Sequence, residues 1–253
     1  MVGRAIAWAA GRDAGRCLGL SALPRLAGAV EHGDRAMAAS DLATYLDDLE
    51  RLNRWFGGYR FTAAAMDRLA GDGAAPTPLV VADLGGARGD FARWLVRRAR
   101  RRGRPVRVLV VDRDHAALAA GRERADGDAD VLWVQADATA LPLRARAVDV
   151  ATTSLTLHHL EPPAAVAMLG ALRRVARLGV VVNDLLRTRL AYLLVRIAVR
   201  ALCRHPFSHD DGPLSVLRAY LPREIEELAR AAGFSRLAIR TYPLFARTMA
   251  VGS

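Results

Sequence analysis

One stretch, Leu79-Val80-Val81-Ala82-Asp83-Leu84-Gly85-Gly86-Ala87-Arg88-Gly89-Asp90, limits what this chain can fold into more than any other. An apolar run ends in a carboxylate, turns through glycines and opens into a helix-like segment over 91–101. A strand buried on both faces reads as a continuous apolar run. Glycine lets the turn approach a ligand where a side chain would collide. The helix behind it presents unpaired N–H groups at its N-terminus. Such a strand–turn–helix unit places a ligand at the carboxyl ends of parallel strands in a doubly wound α/β fold. The dinucleotide pattern G-x-G-x-x-G is not met by Gly85, Gly86 and Gly89, which disfavours a nicotinamide-dependent oxidoreductase. Asp83 inside the turn suits an amino-bearing ligand better than a pyrophosphate.

Three more strand-like runs follow in order, at 106–111, 131–135 and 148–153, and each leads into polar or acidic residues. Asp112 closes the second, where a carboxylate can accept both hydroxyls of a ribose. Asp137 follows the third and can accept from an adenine amino group. The fourth leads into Ser154-Leu155-Thr156-Leu157-His158-His159. Helical patterns at 162–177, 185–203, 214–220 and 222–232 alternate with a fifth strand at 179–183, and 235–242 with 244–251 reads as a closing antiparallel hairpin. The stretch 205–213 is polar and carries Pro206, Gly212 and Pro213, which marks a bent loop.

Taken in order, VVADLGGARGD, VLVVDRD, VQADATALPL and VDVATTSLTLHHLEP resemble the motifs of the class I S-adenosylmethionine-dependent methyltransferases. The resemblance runs from 79 to 249. It implies a Rossmann-like, doubly wound seven-stranded sheet with an antiparallel C-terminal hairpin and an N-terminal helical cap. It implies S-adenosylmethionine as cofactor. Asp83, Gly85, Gly86 and Gly89 would lie against its methionine part, Asp112 and Arg113 at the ribose, Asp137 and Ala138 at the adenine, and Ser154 and Leu155 beside the sulfonium. Ala87 stands where the family's loop has its middle glycine, so an altered loop shape is expected there.

Ahead of this core, Leu42, Tyr45, Leu46, Leu49, Leu52 and Phe56 recur at helical spacing behind Asp41, a candidate N-cap. Gly57-Gly58 interrupts the pattern, which resumes over 59–69, and 71–78 reads as a linker. The expected organisation is a disordered tail over 1–39, without a consistent apolar face and dispensable for the fold, a helical cap and linker over 40–78, and a methyltransferase domain over 79–253 with a helical insertion at about 185–220. Met37, just before the acidic helix, is an alternative translation start.

A formal charge of +11 invites a nucleic-acid reading, but the chain has no lysine, and its densest arginine cluster surrounds the end of the 91–101 helix. Cations there complement a helix C-terminus, and a solvated face is the expected role. With two cysteines, Cys17 and Cys203, the chain has no disulfide framework or zinc pattern, in keeping with a cytoplasmic protein. No uncharged apolar run reaches the ~18 residues of a membrane span.

Methyl transfer from a sulfonium is an in-line displacement that needs a base only when the acceptor must lose a proton. His158 and His159, just past the fourth strand, are the candidates for that base, against the alternative that they cap the strand and pack. Trp55, Phe56, Tyr59, Asn183 and His209 are the expected border of the acceptor pocket. His205, His209, Asp210 and Asp211 form a polar group without a completing ligand pair, and no residues are assigned to a metal. The apolar 185–203 helix suits a lipophilic acceptor, or a homodimer or membrane-interface surface. The reading is methyl transfer to a small phenolic, polyketide-like or otherwise lipophilic acceptor, with oxygen favoured as the accepting atom. The rival in another class is a protein that binds the cofactor only to shape its pocket.

Overall fold

A computed structural model describes residues 21–71 and 78–253. Seven strands form one sheet: β1 (Leu79–Leu84), β2 (Val106–Asp112), β3 (Val131–Gln135), β4 (Val148–Ser154), β5 (Ala176–Leu185), β6 (Leu237–Tyr242) and β7 (Arg247–Gly252). Their order is β3-β2-β1-β4-β5-β7-β6. The first five pair in parallel, and β7 runs antiparallel to both β5 and β6. The chain order reverses between β1 and β4, the switch point at which ligands bind in open α/β sheets. Asp83 sits there, in register with Val110 on β2 and Thr152 on β4.

The helices are α1 (Ala39–Trp55), α2 (Gly58–Ala70), α3 (Asp90–Arg101), α4 (His115–Ala125), α5 (Pro162–Val175), α6 (Arg189–Leu202), α7 (Pro206–Arg218) and α8 (Pro222–Ala231). One face of the sheet is covered by α2, α3 and α4, through Ala63, Met66, Phe91, Leu95 and Leu118. The other is covered by α5 and α8, through Met168, Leu172, Ile225 and Leu228. Valines of β1, β2, β4 and β5 lie between these layers, which is why those strands read as continuous apolar runs. The helices α1, α6 and α7 pack on one another as a separate cap.

Several sequence expectations are corrected. The 205–213 stretch is helical and belongs to α7. His205 caps it, its Nδ1 accepting from Phe207 N–H at 3.2 Å, and Pro206 occupies the first turn, where no N–H is needed. Pro213 is tolerated inside the helix, although it removes one backbone bond. The helix α1 starts from Ala38 rather than from Asp41, which lies in its first turn. Strand β5 extends to Leu185, so the following helix begins only at Arg189.

The largest correction concerns the expected tail. Residues 1–20 lie outside the described part, as do 72–77 of the linker, but 21–38 are folded against the core. Ala22 bridges to Thr188, and Arg25 donates to the carbonyl of Arg218 at 2.9 Å and to Glu161 at 3.0 Å. Glu31 is buried, and a 3-10 turn at His32–Asp34 donates the backbone N–H groups of His32 and Gly33 to Asp211. This segment lacks helical periodicity because polar bonds to distant residues, not an apolar stripe, hold it in place.

Candidate active site

Strand β1 delivers Asp83 to the floor of a cavity of about 180 Å³ beneath α1, α6 and α7. Gly85, Gly86 and Ala87 form one wall, and Ser154, Leu155, His158 and His159 form a second. Leu46, Leu49, Leu52, Phe56, Tyr59, Val195, Ala198 and Phe245 give it an apolar roof and sides.

The backbone of the glycine turn is shaped for this position. Gly85 has φ 68°, and a Cβ there would collide with the Thr156 side chain. Gly89 has φ 65°, and a Cβ would come within 2.7 Å of Trp133, so this glycine serves packing of the turn rather than the cavity. Ala87 is itself in the left-handed region at φ 45°, as expected for a residue standing in a glycine's place. Leu155 is also left-handed, at φ 55°, and such strain in a bulky residue collects where a site is shaped.

Asp83 is buried and accepts no hydrogen bond from the described residues. Burial, with the like charge of Asp112 adding to it, pushes its carboxyl up to about 7. A cationic amino group is the partner this carboxylate lacks, so the floor of the cavity fits the methionine end of S-adenosylmethionine. Asp112 stands behind the loop, where its carboxylate accepts from Ala87 N–H at 2.7 Å and Asp114 N–H at 2.9 Å. Asp137 accepts from the backbone and hydroxyl of Thr139, each at 2.7 Å, just past β3. Asp112, Arg113, Asp137 and Ala138 lie at the carboxyl ends of β2 and β3 but outside the lining of this cavity.

His158 is buried and its Nδ1 lies 2.6 Å from Asp184 Oδ1. His159 is partly exposed and its Nδ1 lies 2.8 Å from Asp34 Oδ1. Both histidines therefore line the cavity and are each held by a carboxylate. Burial alone would raise Asp34 and Asp184, but their contacts with His159, Arg218 and His158 outweigh it and hold both carboxyls below the usual range. Of the expected acceptor border, Phe56 and Tyr59 line the cavity. Trp55 does not: it is 72% exposed beside a surface groove with Arg51 and Arg54. Asn183 is buried but turned toward α2, where its amide donates to Gly58 O and Thr62 Oγ1, each at 2.9 Å. His209 also points away, with Nε2 3.3 Å from the carbonyl of Cys203.

Further residues that sequence reasoning missed lie in the site or directly behind it. Arg88 is 1% exposed and joins the glycine turn to α1 through Asp47 at 2.6 Å and Glu50 at 3.0 Å, while also pairing with Asp90 at the start of α3 at 3.0 Å. Tyr45 donates to Asp211 at 2.9 Å. Arg247 on β7 lines the cavity, with Nη2 donating to Asn53 at 2.9 Å and Nε and Nη1 without partners among the described residues. Burial lowers its guanidinium to about 10. An arginine in a short apolar strand is a signal that sequence reasoning could have used. Glu31, by contrast, carries none.

Sheet order, glycine turn and a buried acid at the switch point together define a class I methyltransferase fold. Residues 81–179, from β1 into β5, match the family model of a methyltransferase domain. No curated protein matches the chain. Among solved structures, it is similar to a SAM-dependent methyltransferase from Aquifex aeolicus, at 18% identity and a TM-score of 0.52 over 70% of this chain and 82% of that one. Human N-acetylserotonin methyltransferase in complex with SAM is similar at 14% identity and a TM-score of 0.59, over 84% of this chain and 56% of that one. Magnesium protoporphyrin IX methyltransferase from Synechocystis with bound SAH is similar at 16% identity and a TM-score of 0.56, over 83% of this chain and 94% of that one. These likenesses are of fold.

Proposed function

We propose that the chain transfers a methyl group to a hydroxyl oxygen of a small lipophilic acceptor, phenolic or polyketide-like, in specialised metabolism. The observation that carries this reading is one cavity in which a buried acid without a counter-ion faces an apolar chamber with two carboxylate-held histidines. S-adenosylmethionine, when bound, supplies the electrophilic methyl group. Asp83 holds its ammonium group and Asp112 its ribose, Asp137 and Ala138 border the adenine, and Ser154 and Leu155 border the sulfonium. The leucines of α1, together with Val195 and Ala198, exclude water and align the acceptor. Alignment alone is worth on the order of 7–11 kcal/mol in favourable cases. Arg247 supports an acceptor whose oxygen carries negative charge, as a phenol or enol does after losing its proton. That proton leaves at the histidine end of the cavity.

Among the described residues no helix is long and apolar enough to cross a membrane. Leu193 and Ile197 on the outer face of α6 are exposed and offer a surface for a second copy of the chain, and we place the enzyme in the cytoplasm.

Incubation of the protein with methyl-labelled S-adenosylmethionine and a panel of phenols and 1,3-diketones tests the reading. Labelled methyl ether is the expected product. His158→Gln or His159→Gln should lower turnover by ~10²–10⁴-fold with cofactor affinity nearly unchanged. Tight S-adenosylhomocysteine binding without any product, from the panel or from cell extract, would point instead to a cofactor that only shapes the pocket.

A further inference from the structure

The histidine end of the cavity contains more than a base requires. His158 Nε2 lies 3.8 Å from one oxygen of Glu31, and His159 Nε2 lies 3.8 Å from the other. The donor atoms of these three residues all fall within 4.8 Å of one another, and all three residues line the cavity. Both imidazoles are oriented from behind, through Nδ1, by Asp184 and Asp34. A carboxylate only accepts, so each Nδ1 carries its proton, and in the neutral ring the Nε2 lone pair faces Glu31. This carboxylate–histidine arrangement is the usual support behind a metal-binding imidazole.

The charges point the same way. Glu31, Asp34, Asp184 and Asp211 cluster here with two buried guanidiniums, those of Arg218 and Arg247, and the exposed one of Arg113 3.8 Å from Asp34, which still leaves more carboxylates than cations. Ser215 and Arg218 hold Glu31 in place at 2.8 and 3.0 Å. A divalent cation between the two Nε2 atoms and Glu31 supplies the positive charge this cluster lacks and leaves both Nδ1–H donors in position.

We propose that Glu31, His158 and His159 form a binding site for a divalent transition-metal ion, of the two-histidine, one-carboxylate kind that suits zinc or iron(II). Zinc bonds of ~2.0–2.2 Å require donor atoms ~3.4 Å apart, so small side-chain movements close the site. Its remaining coordination positions open into the cavity, where they take an oxygen of the acceptor. This last point rests on the acceptor being a hydroxyl compound, whereas the metal site itself does not. The histidines then act as ligands, and the cation rather than a free imidazole makes the acceptor hydroxyl acidic.

The test is a titration of the full-length protein with cobalt(II) and zinc(II) after treatment with a chelator, followed by calorimetry and, for cobalt, by its ligand-field spectrum. One equivalent per chain is expected, with a spectrum of mixed nitrogen and oxygen ligands. Asp34→Asn should weaken binding by ~10–100-fold, and Glu31→Gln and His159→Gln by more. His158 is too deeply buried to be the decisive variant. Should the variants misfold, the wild-type titration decides alone. Absence of stoichiometric binding of either ion to the folded wild type overturns the site. Binding undiminished in Glu31→Gln and His159→Gln also overturns it, by placing the ion elsewhere. S-adenosylhomocysteine binding, measured on the same metal-stripped protein, reports the methyltransferase reading separately.

Discussion

A carboxylate buried without a counter-ion holds its proton until a cation arrives, and Asp83 is in that position. Its folded value of about 7 lies above the ~3.9 of an unfolded aspartate. The folded protein therefore binds a proton that the unfolded chain has released. The resulting stability is fully present below the unfolded value and is lost as pH rises through about 7. Cofactor binding runs the opposite way, because an ammonium group selects the ionised acid. Calorimetry should show S-adenosylhomocysteine affinity rising by up to ~tenfold per pH unit toward about 7 and level above it. Asp83→Asn should bind weakly with a flat profile, and an equally flat wild-type profile would remove Asp83 from the ammonium site. The acid and its turn were legible in the sequence because they are contiguous. Trp55 was misplaced because helical spacing alone does not say which flank of α1 faces the core, and its ring is 72% exposed.

At the scale of elements, α7 shows how tertiary contacts override local signals. Its proline- and glycine-bearing start is held by Asp48 of α1, whose carboxylate accepts from Arg204 N–H at 2.9 Å, His205 N–H at 2.8 Å and the Ser208 hydroxyl at 2.9 Å. The His205 N–H is one that a helix start leaves unpaired, and an acid 157 residues away satisfies it. Burial would raise Asp48, but the His205, Arg204, Ser208 and Arg51 bonds outweigh it and lower its carboxyl. Its contribution to stability is thus present above the unfolded ~3.9 and is lost as pH falls below it. Asp48→Asn should cost ~1.5–3 kcal/mol in urea unfolding at neutral pH, and less in acid. No cost at neutral pH would show that α7 starts on its own. The strands needed no such help, since β1, β2 and β4 are buried on both faces and their composition alone marks them.

For the molecule as a whole, the segment before α1 decides what the cavity is. A chain beginning at Met37 would lose Arg25, Glu31 and Asp34, leaving Arg218 without its two carboxylates. Breaking a buried ion pair from one side costs ~3–5 kcal/mol, which at ~2–4 °C per kcal/mol lowers the melting temperature by on the order of 10 °C. Calorimetric melting of that truncated chain beside the full-length protein checks this, and coincident melts would restore the dispensable tail expected from the sequence.

The sequence by itself determined the sheet, its switch point, the acid that waits for a cation and the position of the histidine pair. All of these follow from contiguous runs of apolar residues broken by glycine and acid, a pattern written in local order. Only the tertiary structure decided that Glu31, His158 and His159 meet at one end of the cavity with Asp34 and Asp184 behind them, that Arg247 lines it, or that Arg88 is buried between the glycine turn and α1. Such residues are joined by charge and hydrogen bonding across long separations. Those forces act through space and leave no periodicity along the chain.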